Sequence, residues 1–300
     1  MPVKKKNRRQ SRLSNSNSEG EYTMSGTLYL VPTPIGNLSD ISKRMADTLE
    51  QADFIAAEDT RVSLKLLNHL GIKKSMMTYH RHNTETSGQA VLDRILAGEN
   101  CALVTDAGMP AISDPGEELV GRCAAAGVPV VCIPGPCALV TALAVSGQPT
   151  GRFTFEGFLA MNKKNRKAHL DSLRTEERTM IFYEAPHKLN STLDDLVETF
   201  GADRSVSLCR ELTKLHEEIR RTTLGEAAAY YRENSPKGEF VLVVRGCEPP
   251  EEKEITLEDG LAMVERLREE EGLSLRDAVK RAAKELGLAR NQLYDLAIGK

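Results

Sequence analysis

Between Thr27 and Ser146 short β-branched runs alternate with amphipathic stretches, and this rhythm restricts the segment to a parallel sheet with crossover helices. The strand-like runs are TLYLV (27–31), DFIAA (53–57), CALVT (101–105) and VPVVCI (128–133). Helical patterns lie between them, notably over 60–70, 84–97 and 114–126, and Gly71 and Gly127 fall where helix C-caps are expected. Open α/β sheets take ligands at the carboxyl ends of their strands, so the loops after these runs are the first place to seek chemistry.

After GQPTGR (147–152), which has linker composition, the pattern changes. FTFEGF (153–158), TMIFYE (179–184), SVSLCR (205–210) and EFVLVV (239–244) read as strands, with helical or irregular segments between them, including 188–200 and 224–233. This predicts a second α/β domain, more mixed in strand direction. Pro249–Glu254 reads as another linker, followed by three short helical patterns. Thr256-x-x-Asp259 and Ser274-x-x-Asp277 have the form of helix-start boxes, Gly287 ends the second helix, and 289–298 supplies a third. The expected division is therefore a disordered basic extension (1–24), an N-terminal α/β domain (25–147), a second α/β domain (148–248) and a helix-turn-helix-like domain (255–300).

Three hundred residues at 40% hydrophobic composition suffice for two cores and a small appendage. A net charge of −3 excludes a uniformly basic surface, but charge is unevenly placed. Lys4, Lys5, Lys6, Arg8, Arg9 and Arg12 face only Glu19 and Glu21 in the first segment. Leu273–Lys300 is also basic, whereas Glu251–Gly272 is strongly acidic, so a polyanion would meet patches. The six cysteines form no CxxC pair and have no histidine at zinc-finger spacing, which points to a reduced, cytoplasmic setting. No run approaches the roughly 20 apolar residues of a membrane span, and the first segment lacks the apolar stretch of a secretory signal.

PTPIGNL (32–38) follows the first strand; it is stiff, and it is not the GxGxxG of a dinucleotide site. TDAGMPAISDPG (105–116), with Asp106 and Asp114, and IPGPCA (133–138) follow two further strands. Three small-residue loops at successive strand ends converge on one crevice and argue for a ligand held by main-chain groups. YEAPHK (183–188), RELTKLHEE (210–218), AAEDTR (56–61) and YHRHN (79–83) concentrate ionisable groups, as either reacting residues or a salt-bridge network. His80 and His82 would share one face of a strand, but with no cysteine or third histidine close by no metal is expected.

Taken in order, PTPIGNLSD, AAEDTR, YHRHN, TDAGMPAISDPG, IPGPCA, FEGF, YEAPHK and RELTK resemble the ribosomal RNA small subunit methyltransferase I family, within the tetrapyrrole-methylase-like superfamily. The resemblance implies two α/β domains with a cofactor cleft between them, a small C-terminal helical domain, and a homodimer. It implies S-adenosyl-L-methionine as cofactor and 2′-O-methylation of a cytidine, position 1402 in the usual numbering, in 16S rRNA of the small ribosomal subunit. Carried over by motif, Pro34, Gly36, Asn37 and Leu38, then Asp106, Ala107, Gly108, Ile112 and Ser113, then Pro134 and Gly135, would hold the cofactor. Tyr183 and Glu184 would close it from the second domain. Met109 and Cys137 stand where related sequences often have Thr and Ser.

The proton acceptor is left open among Glu58, Asp59, His80, Glu184 and Glu211, with Arg210 beside the last. Arg276, Lys280 and Lys284, four apart, share a helical face and with Arg290 suit RNA phosphates. A tetrapyrrole methylase would share the cofactor loops without needing these basic helices. A helix-turn-helix regulator would read DNA through 273–300 but has little use for YEAPHK and RELTK. A nicotinamide oxidoreductase lacks its glycine fingerprint.

Overall fold

The computed structural model describes residues 25–81, 83–248 and 255–299. The expected 1–24 extension, His82 and the whole 249–254 linker lie outside them. The first sheet contains β1 (Leu28–Leu30), β2 (Phe54–Ala57), β3 (Ser75–Thr78), β4 (Cys101–Val104) and β5 (Val130–Cys132), all parallel, in the order β3-β2-β4-β1-β5. The connections carry α1 (Lys43–Gln51), α2 (Thr60–Leu70), α3 (Thr84–Leu96) and α4 (Glu117–Ala125), and both faces of the sheet are covered. That explains the unbroken apolar run of β4: Cys101 and Leu103 pack into one cluster, Ala102 and Val104 into the other. Gly71 caps α2 in the left-handed region, φ 71°, as the sequence predicts.

The second sheet is mixed. It contains β6 (Phe153–Phe158), β7 (Thr179–Glu184), β8 (Ser205–Arg210), β9 (Glu218–Thr223) and β10 (Phe240–Val244), in the order β6-β7-β10-β8-β9. Only β6 and β7 run parallel. The last strand is the middle one, and its residues divide cleanly between two cores. Phe240, Leu242 and Val244 meet α7 (Leu189–Phe200) and α8 (Leu224–Glu233), while Val241 and Val243 meet α5 (Ala138–Ser146). The helix α5 precedes residue 147, yet its Leu139, Ala142 and Leu143 pack on this second sheet. Chain through α5 thus ties the two sheets together, and residues up to Cys247 form one compact unit. Another helix, α6 (Lys163–Ser172), lies between β6 and β7 in sequence.

The remaining residues form a second compact unit of α9 (Leu257–Glu271), α10 (Leu275–Leu286) and α11 (Arg290–Ile298). Thr256 caps α9 in a reciprocal box with Asp259, and Ser274 accepts the Asp277 N–H at the start of α10. Leu261, Val264, Leu267, Ala278, Val279, Ala282 and Leu293 form its core. A Cβ on Gly260 would lie 2.5 Å from Leu288 Cδ1, so a glycine is what lets α9 approach the following chain. Among the described residues no helix is long and apolar enough to cross a membrane.

Candidate active site

The carboxyl ends of the first sheet and the strand ends at one side of the second, chiefly of its inner strands β7, β8 and β10, line a cavity of about 350 Å³, within the usual range for small-ligand sites. The first wall is built from strand-end loops. Thr33 and Gly108 exchange backbone hydrogen bonds of 2.9 and 3.0 Å, and the Thr33 hydroxyl donates to the Thr105 carbonyl at 3.0 Å. The loops after β1 and β4 are thereby locked together. Gly108 has φ 90°, and a Cβ there would meet nothing closer than Ile35 Cγ2 at 3.4 Å. Ala111 and Ser113 also sit in the left-handed region, at φ 70° and 63°, a local strain that turns the loop across the cavity.

Three carboxylates line this wall: Glu58, Asp106 and Asp114. The Asp106 N–H donates to Glu58 at 3.4 Å, and the Asp59 N–H donates to Asp106 at 3.2 Å. Burial pushes all three upward in pKa, and neighbouring carboxylates add to it: Asp106 on Glu58, Asp59 on Asp106, and both Glu58 and Asp106 on Asp114. Asp114 is pushed furthest, to about 6, by burial and then by the charges of Glu58 and Asp106, against the opposing pull of Arg81.

The second wall is made of side chains. Tyr183 lies edge-on to Phe155 and Phe158, at 4.9 and 5.5 Å between ring centres, and its hydroxyl accepts the Leu139 N–H at 2.9 Å. Lys214 bridges Glu211 (2.7 Å) and Glu239 (2.9 Å). Glu211 and Thr213 both have positive φ, 52° and 68°. Burial raises the Glu211 carboxyl, but the Lys214 ammonium, the Glu239 N–H and the Arg210 charge outweigh it, leaving it below its usual range.

The structure brings Asp106, Ala107, Gly108, Ile112, Ser113, Tyr183, Glu184 and Glu211 to the cavity, with Glu58. Pro34, Asn37, Leu38 and Pro134 are not on its lining. Asn37 instead caps a short 3-10 turn at Leu38–Asp40, and Leu38 is exposed. Gly36 serves the approach of the two walls: a Cβ would fall 2.4 Å from Lys214 Cγ. Gly135 likewise packs on Pro32, where a Cβ would come within 2.5 Å. Asp59 caps α2 and pairs with Arg61, whose hydrogen bond holds its carboxyl at about 2. His80 and Arg210 also lie off the lining; the His80 N–H bonds Asn83 Oδ1 at 2.8 Å, and Arg210 pairs with Glu218 at 3.2 Å. Glu184 is buried, with its oxygens bonded to the Thr192 hydroxyl (2.6 Å) and the Ala185 N–H (2.8 Å). Ile35, Met109, Cys137, Ala138, Phe158, Leu212, Lys214, Glu239 and Phe240 line the cavity without having been singled out as site residues. Most of them neighbour a motif that was.

Residues 27–228 match the model of the Tetrapyrrole (Corrin/Porphyrin) Methylases, and residues 254–300 match the RsmI C-terminal HTH domain. A ribosomal RNA small subunit methyltransferase I of Synechocystis sp. is 49% identical over 273 residues, covering 91% of this chain and 98% of that one. The chain belongs to the ribosomal RNA small subunit methyltransferase I family. Members of this family from Escherichia coli O157:H7 and Bacillus subtilis are 44% and 42% identical, over 91% and 90% of this chain and 95% and 93% of theirs. Among solved structures, a cobalt precorrin-4 methyltransferase matches 72% of this chain and 94% of its own with TM-score 0.54 at 21% identity, a likeness of fold.

As a member of this family the protein is a methyltransferase with S-adenosyl-L-methionine as donor. The cavity suits that molecule. Glu58, Asp106 and Asp114 offer negative charge to a sulfonium and an amino group, and Ala107 and Gly108 leave the main chain bare along the lining. Among the described residues no group of three or more His, Cys, Asp or Glu has metal-holding geometry.

Proposed function

We propose that this enzyme methylates the ribose 2′-oxygen of a cytidine, position 1402 of 16S rRNA, in the small ribosomal subunit, in the cytoplasm and as a homodimer. The observation that carries the reading is the identity of 42–49% over about nine-tenths of the chain with proteins named for small-subunit rRNA methylation. S-adenosyl-L-methionine supplies an already activated methyl group. The protein's share is to position the hydroxyl and accept its proton. We assign the acceptor to the first wall, with Asp114 foremost, because its carboxyl is pushed nearest to neutrality while lining the cavity. Asp59, held low by Arg61, and Glu184, already hydrogen-bonded, are poorer bases.

The exposed Arg276, Lys280, Lys284 and Arg290 of the helical unit are assigned to RNA phosphates. Removing Glu248–Lys300, a compact unit, is expected to leave cofactor affinity unchanged and weaken binding to the subunit with a shallower salt dependence. The deciding experiment supplies labelled S-adenosyl-L-methionine with undermethylated small subunits, naked 16S rRNA or a tetrapyrrole. Label in the ribose of that cytidine is expected. Label in the tetrapyrrole alone defeats the reading, and a fully active monomer in sedimentation defeats the dimer.

A further inference from the structure

The rim segment that runs from the end of β6 into α6 starts on the cavity lining at Phe158 and carries exposed aromatic, apolar and basic side chains. Phe158 ends β6 on the cavity lining, yet its ring is 54% exposed. It is presented by a bulge in the β6–β7 register at Gly157, whose φ is 64°. Met161, three residues on, is 80% exposed. The chain then enters α6, capped by the Asn162 side chain, which accepts the Lys164 and Asn165 N–H groups at 3.0 and 3.1 Å. The first turn of α6 has no acid but holds Lys163, Lys164 and Arg166, and Lys167 follows directly. Cations at a helix N-terminus oppose the macrodipole and cost stability. Two of the four are neutralised by α7, Arg166 by Asp195 (2.5 Å) and Lys167 by Glu198 (3.2 Å). Lys163 and Lys164 are exposed and close no ion pair among the described residues, though Lys163 shares a hollow with Asp194, Asp195 and Glu198, and Lys164 does not.

We propose that this rim receives the RNA strand: the Phe158 ring stacks on the base of the target nucleotide, and Lys163 and Lys164 hold phosphates beside it. The inference rests on RNA being the substrate. A ribose in the cavity requires its base to leave the helical stack, and flipped bases are held by stacking on aromatic rings. Five residues of chain span at most about 18 Å, so the two ammonium groups serve phosphates within a few nucleotides of that base. A second copy of the chain is a poorer occupant, because an isologous contact across this patch brings the same lysines together.

The test uses small ribosomal subunits lacking the modification, labelled S-adenosyl-L-methionine, and calorimetry of cofactor binding. The double variant Lys163→Met/Lys164→Met is expected to keep cofactor affinity, to raise the KM for subunits about tenfold, and to reduce the slope of log KM against log salt by about 1.4, as two single-strand contacts require. Phe158→Ala is expected to lower kcat/KM about tenfold and Phe158→Trp to restore it. An unchanged KM and salt slope overturns the proposal, as does a changed sedimentation coefficient at unchanged KM, which gives the patch to a second copy. Loss of cofactor affinity in Phe158→Ala gives the ring to the donor and also overturns it. Failure of the wild-type enzyme to label subunits defeats the functional reading itself; unaltered variants of a wild type that does label them defeat the rim alone.

Discussion

On one wall of the cavity burial drives Glu58, Asp106 and Asp114 toward protonation, whereas on the other Glu211, also partly buried, ends below its ordinary range. Each wall includes a turn with two non-glycine residues at positive φ, Ala111 and Ser113 in the first and Glu211 and Thr213 in the second. The difference is the counter-charge. Lys214 sits within 2.7 Å of Glu211, while the acids of the first wall mostly have one another and the exposed Arg81. Desolvation alone makes a carboxylate a base; desolvation beside an ammonium makes it a strut. The first wall holds chemistry in reserve, and the second holds shape.

The largest effect that separates the walls is expected from Asp114→Asn. Its turnover should fall by about 10²–10⁴, the usual worth of a general base. Its stability should move the other way. The folded pKa of Asp114, about 6, lies above the unfolded value, so folded protein binds more protons between about pH 4 and 6 and stability falls as pH rises through that window. The amide removes this decline: unfolding should be equal for both proteins at pH 4 and about 1–2 kcal/mol more costly for the variant at pH 7, after allowing for partial exposure. A variant that is less stable at pH 7, or fully active, breaks the comparison.

Gly108→Trp comes next. It should lower cofactor affinity about 100-fold by calorimetry while the protein stays folded, because its side chain has only the cavity to enter. Since φ 90° strains any side chain, Gly108→Ala separates strain from bulk and should retain most affinity. Normal affinity in the folded tryptophan variant would take this loop out of the site.

The smallest effect belongs to the second wall. Glu211→Gln should lower stability by about 1 kcal/mol at pH 7, with little change in the pH dependence of turnover. The folded pKa is depressed here, so the contribution is present above the unfolded value near 4.3 and disappears as pH falls through the folded one. Thermal melts at pH 7 and pH 3 check the sign; a loss that persists at pH 3 shows packing rather than charge.

What was legible followed burial. The runs at 101–105 and 239–244 announce β4 and β10 because both faces are covered, and segments 153–158, 179–184 and 205–210 correspond to β6, β7 and β8 residue for residue. Of the four edge strands, β5 and β6 were read from their β-branched and aromatic residues, whereas β3 (SMMT) and β9 (EIRRTT), with no aromatic and only Ile219 as an aliphatic β-branched residue between them, escaped; β9 spends Arg220 on the Tyr230 ring, 3.7 Å away. In the site, glycines and prolines marked the first wall. Its left-handed Ala111 and Ser113 carried no such mark. Lys214 and Glu239 meet only because Phe240 is registered opposite both Glu184 and Arg210, a non-local pairing that no single segment encodes.

The order of strands also sets a timetable. β1 pairs only with β4 and β5, so the strand that leads into Thr33 has no partner until residue 103 has been made and lacks its second until residue 132. The second sheet waits longer: β7 and β8 are joined only through β10, the last strand of the unit. At about 5–20 residues per second, a nascent chain carries β7 with only β6 beside it for about 3–12 seconds before its second partner, β10, emerges. During that interval the edge of β7 that β10 will cover, at Met180, Ile181 and Phe182, is unpaired. A ribosome-modifying enzyme thus completes its own catalytic pocket only once β10 has left a ribosome.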